Sequence, residues 1–169
     1  MTIRACRAKL LAICFISFVA ATLTPLAAQE QAPLPKHVLS ANPFGLLLSF
    51  FNVEYEHAIS GSTTVGVGGS TIRFDNDRYT NADAFWRFYT SRTASPLNGF
   101  AFGVKGGITK VDGRAYFGYG FDMNRSWVLG KQNNFYVGIG FGLKRLVGSD
   151  EGFRIYIPTF RIVNVGIAF

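Results

Sequence analysis

Six charged residues carry most of the chemistry this chain could do through electrostatics: Glu54, Glu56, Arg87, Lys105, Asp122 and Lys144. Each lies in a run where large apolar residues alternate with small or charged ones, and each falls on the small side. Three acids and three bases sharing one enclosed space can satisfy one another, whereas an unpaired buried ion costs several kcal/mol. The expectation is an internal stabilising network, not a catalytic centre.

Acid–base work would fall to the two histidines, His37 and His57. His57 stands close in sequence to Glu54, Glu56 and Ser60, the residue types of a Ser/His/acid set. A period of two puts His57 on the face opposite both glutamates, so an interfacial histidine is expected instead. The glycines alternate along strands and open no phosphate loop, and HExxH is absent from the sequence. Asp75, Asn76, Asp77, Asp150 and Glu151 offer carboxylate-bearing turns for Ca²⁺ or a cation bridge to lipopolysaccharide, but their spacing fits no closed calcium loop. These readings predict no catalytic residue, no metal site and no cofactor. Arg73, Arg78, Arg92, Arg145 and Arg154 are candidates for meeting anionic lipid headgroups directly.

The elements that must position these residues read as strands. In 135–144, Phe135, Val137, Ile139, Phe141 and Leu143 alternate with Tyr136, Gly138, Gly140, Gly142 and Lys144. No helix places three glycines on one stripe so regularly. Residues 115–127 and 99–109 repeat the design. Weaker alternation marks 51–59, 63–74 and 83–90, and the first strand, near 36–48, is interrupted by Asn42-Pro43. The last, 159–169, sets Val163, Val165, Ile167 and Phe169 against Asn164, Gly166 and Ala168. Turn residues separate the runs at 60–62, 75–77, 95–99, 112–113, 130–134 and 148–152. Only 75–80 and 147–158 are expected to project as longer connections.

Residues 1–28 read as a signal peptide: Arg4, Arg7 and Lys9 precede a short apolar run that stops at Pro25. Cys6 and Cys14 both fall inside it, so cleavage would leave a chain without thiols. Losing three cations and no acid takes the net charge from +7 to +4, too mild for a nucleic-acid footprint. Residues 29–35 are expected to be a flexible leader, and 36–169 one barrel domain with room for about eight strands of 9–11 residues.

Alternation alone does not say which face is outside. Glycine weakens a strand unless something requires closeness, and the interior of an eight-stranded barrel is barely wide enough for side chains. Gly118, Gly120, Gly138, Gly140 and Gly142 therefore point inward, and the bulky apolar face points outward to lipid. Trp86, Trp127, Tyr55, Tyr79, Tyr119 and Phe169 are the candidates for interfacial girdles. The fold class expected is all-β: an eight-stranded antiparallel up-and-down transmembrane barrel with both termini periplasmic.

On this alternation, the chain resembles the small eight-stranded outer-membrane barrels typified by the OmpA and OmpX transmembrane domains. Asn42-Pro43-Phe44-Gly45-Leu46, Val53-Glu54-Tyr55-Glu56-His57-Ala58 and Arg87-Phe88-Tyr89 are similar to a group of bacterial barrels of unknown function. The resemblance implies a bacterial outer-membrane location and no activity. It also implies that Val165, Ile167 and Phe169 form the signal read by the barrel assembly machinery, with outer-membrane lipid and lipopolysaccharide as neighbours. The expected role is structural or interaction-based, with a plugged lumen. Three other readings remain: a lipid-modifying enzyme using His57, a soluble periplasmic binding barrel and a small channel.

Overall fold

The computed structural model describes residues 34–44, 50–74, 77–90, 96–111, 113–147 and 154–169. Eight strands run β1 His37–Ala41, β2 Phe50–Ala58, β3 Thr63–Phe74, β4 Asp77–Tyr89, β5 Gly99–Val111, β6 Arg114–Leu129, β7 Phe135–Val147 and β8 Arg154–Ala168. Each pairs antiparallel with the next, and β8 returns to β1, closing an up-and-down barrel. Closure removes the exposed edges an open sheet would present.

The wall has one orientation throughout. Along β2, Asn52, Glu54 and Glu56 are buried while Phe51, Val53 and Tyr55 are exposed. On β7, Tyr136 and Lys144 are buried while Ile139 and Phe141 are exposed. Large apolar groups face outward on every strand, and the interior is lined by small and charged groups together with the buried Phe50, Phe85, Tyr89, Tyr136, Leu146 and Ile157. Two glycines show why. A Cβ on Gly103 would lie 2.9 Å from the Trp86 carbonyl oxygen and 2.8 Å from Arg87 Cγ, and one on Gly118 would lie 2.6 Å from Lys144 Cε. Glycine there leaves space for the long charged side chains across the strand.

Several strand limits differ from the sequence reading. β4 starts at Asp77, so residues 77–80 do not project: Thr80 pairs with Thr71, Arg78 with Arg73 and Asp77 with Phe74. This polar stretch lacks apolar alternation and is held by the ladder to β3. β8 likewise starts at Arg154, opposite Val147, and contains Pro158 opposite Leu143. Proline is accommodated because, among the described residues, β8 pairs there with β7 alone; its ladder to β1 covers only Val165 to Ala168. β1 ends at Ala41, after which Asn42 Oδ1 accepts from the Phe44 amide at 2.9 Å and turns the chain. The expected continuation of β1 to residue 48 falls partly outside the described residues.

β8 also contains a bulge. Gly138 faces Asn164 but Gly140 faces Arg161, so Ile162 and Val163 together oppose Ile139. Val163 adopts a φ of 42°, an outlier for a β-branched residue. The extra residue reverses the alternation, so Arg161 and Asn164, three apart, both point inward.

At the end where β1 starts and β8 finishes, Val38, Ala58, Leu97, Tyr136 and Ala168 form a buried apolar cluster, with Val128 packed against it. Leu97 comes from the β4–β5 connection, and the Ser126 hydroxyl, which donates to its carbonyl at 2.8 Å, ties it to β6.

Candidate functional site

The interior above this apolar cluster is organised around Arg87, which is only 2% exposed. Its Nη1 donates to Glu54 Oε2 at 3.0 Å and Glu56 Oε2 at 2.9 Å, and Nη2 donates to Asp122 Oδ2 at 2.9 Å. The guanidinium carbon lies 3.7 Å from the centroid of the Phe85 ring. Glu54 and Glu56 are adjacent inward positions on β2, Arg87 lies two strands away on β4, and Asp122 lies on β6. The regular alternation of three strands thus delivers four of the expected residues to one point.

Surrounding groups fix the carboxylates. Glu56 Oε1 accepts from Thr64 Oγ1 at 2.5 Å and from Tyr89 OH at 2.8 Å. Glu54 Oε1 accepts from Asn52 Nδ2 at 3.2 Å, and Asn52 Oδ1 in turn accepts from Asn164 Nδ2 at 2.6 Å. In such a site the attraction between ions offsets their desolvation only when these further hydrogen bonds are made.

The remaining expected residues lie higher in the interior with other partners. Lys144 pairs with Asp83. Lys105 donates to the Thr159 hydroxyl, and among the described residues no ion pair joins it to a carboxylate. Two members of the interior set were missed in the sequence. Arg161, 4% exposed, pairs with Glu54 at 3.1 Å. Strict alternation through 159–169 places it on the lipid side, and only the bulge turns it inward. Asp83 shares the alternation of Arg87, a signal present in the sequence but obscured because the apolar alternation begins only at 83, while the strand itself begins at Asp77. With both included, the charged groups bonded to one another or to Thr159 within the described interior are the acids Glu54, Glu56, Asp83 and Asp122 and the bases Arg87, Lys105, Lys144 and Arg161.

The histidines lie elsewhere. His57 and His37 are cross-strand partners on the outward alternation. Their rings stack at 4.4 Å, His37 Nδ1 is 2.7 Å from Tyr55 OH, and the Phe169 ring stacks on His37 at 5.3 Å. The wall of the barrel separates this cluster from Glu54 and Glu56. Among the described residues no group of three or more His, Cys, Asp or Glu gathers as a metal site. Asp75, Asn76, Asp150 and Glu151 lie outside the described residues. Tyr79 follows the inward alternation of Asn81 and Asp83 and so does not join an outer girdle. Val165 pairs with Ala41, and Ile167 with Leu39. The Phe169 carbonyl accepts from the Lys36 and His37 amides at 3.0 and 2.8 Å.

Comparison of the chain with protein-family models, curated proteins and solved structures found no match. The fold defines a closed eight-stranded antiparallel barrel with a charged interior and an apolar outer wall.

Proposed function

We propose that this barrel is an integral protein of a bacterial outer membrane, with a structural or interaction role and a lumen plugged by its own side chains. One observation carries the reading: the direction of the wall. Leu39, Val53, Val67, Val104, Phe121, Phe141 and Ile167 are exposed on the outside while Glu56, Arg87 and Lys144 are buried within. In water this would leave an apolar surface spanning all eight strands, far beyond the few hundred Å² a soluble monomer ordinarily tolerates. A bilayer covers such a belt, and a soluble binding barrel would be built the other way round.

The charges agree with this placement. No acidic residue lies on the outward alternation of the described strands, where the charged groups with described side chains are Arg73, Arg78, Lys110, Arg125 and Arg145. These cations lie toward the strand ends, where anionic headgroups of membrane lipid and lipopolysaccharide would meet them. The signal-like N-terminus and the Val165, Ile167, Phe169 pattern support export and handling by the barrel assembly machinery. The plug reading rests on the Arg87 network and on Leu97 below it.

Fractionation and gel mobility test this. The protein should sediment with outer membranes, and detergent-extracted samples should migrate differently before and after heating. Recovery in the soluble periplasm would remove the proposal.

A further inference from the structure

The end of the barrel opposite the Leu97 cluster carries a concentration of charge on its outer face. Arg73 and Arg78 are directly opposed across β3 and β4, and both are exposed. Lys110 stands on β5 opposite Thr80, one outward step from Arg78. Like charges facing each other across a ladder repel. The carboxylates on β4, Asp77 and Asp83, follow the inward alternation, and among the described residues no ion pair joins a carboxylate to any of the three cations.

Two guanidiniums and an ammonium presented on one side are a donor set for a phosphate monoester, whose charge and several acceptor oxygens suit forked Arg donors with a Lys point charge. Toward the middle of the barrel the wall beside them is low: Gly69 and Ala82 are paired, as are Ala84 and Gly106. A Cβ on Gly69 or Gly106 would meet nothing nearer than 3.7 or 3.8 Å, so packing does not demand glycine at either position.

Resting on the membrane reading above, we propose that Arg73, Arg78 and Lys110 bind the phosphate-monoester headgroup of a lipid in the adjoining leaflet, whose acyl chains lie against the low wall at Gly69, Ala82, Ala84 and Gly106. Native mass spectrometry of the full chain in neutral detergent micelles tests it. Phosphatidic acid, phosphatidylcholine and inorganic phosphate are titrated separately. The folded protein should retain phosphatidic acid at least about tenfold more strongly than phosphatidylcholine. Arg73→Gln, Arg78→Gln and Lys110→Gln should each weaken that retention about fivefold, the equivalent of about 1 kcal/mol per charge. Arg125→Gln, a cation on the outer face near the other end, should leave it unchanged.

Equal retention of the two lipids, or an equal loss in Arg125→Gln, would overturn the site. Inorganic phosphate held as tightly as phosphatidic acid would overturn the lipid assignment. A heat-shifted gel band in phosphatidylcholine vesicles separates membrane insertion from phosphate recognition. A chain that inserts there without phosphate preference defeats this inference alone, and one that never inserts defeats the membrane reading and this with it.

Discussion

Arg87 is the residue on which the interior depends most, because three carboxylates share it. Replacing it with Met leaves Glu54, Glu56 and Asp122 without their common cation, and stability should fall by about 3–5 kcal/mol. Urea unfolding in detergent checks this, and a neutral result would remove the idea of a stabilising plug. Gly103→Val should also be severe, since the new side chain meets the Trp86 carbonyl, which has no rotamer to yield. Gly69→Val, on the open outer wall, should stay within about 0.5 kcal/mol. Glu54, Glu56, Arg87 and Asp122 were legible in the sequence because each lies in an uninterrupted alternation that fixes its side of the wall. Arg161 was not, because its direction depends on a backbone irregularity that no residue type near it announces. The pairing of Lys105 with Thr159 was equally out of reach: alternation gives the side of the wall, and the register across the barrel decides the partner.

At the level of the element, the bulge in β8 is the main departure from regularity. Val163→Gly removes a β-branched side chain from a positive φ and should raise stability by about 1 kcal/mol, whereas Val165→Gly, in ordinary ladder geometry, should lower it. The same unfolding midpoints compare the two. Strands with large apolar alternation, β5, β6 and β7, were found in the sequence with their limits short by a few residues. The first four residues of β4 and the start of β8 look like projecting connections in the sequence because they are polar or contain proline. Their strand character comes from partners already in place, a tertiary cause that local composition does not carry.

For the whole molecule, the architecture is legible in the glycines of β6 and β7: a closed barrel with those glycines directed inward is the arrangement observed. Beyond the mobility shift on heating, the plug reading makes a further prediction. Planar bilayers containing the folded protein should show no steady conductance, and shortening Leu97 to Ala should not by itself open a path, because the Arg87 network still crosses the interior. A persistent current through the unaltered protein would contradict this.

The irregularity in β8 bears on how the cylinder is assembled. β8 is the strand whose pairing with β1 completes the circle. Were it to pair with β7 without its extra residue, Arg161 would be turned out into hydrocarbon, at a cost of about 2–4 kcal/mol near the bilayer midplane. Glu54 would at the same moment lose one of its two cations. One misdirected side chain thus penalises a one-residue slip of β8 against β7 twice, and the last strand enters the circle carrying its own check on register.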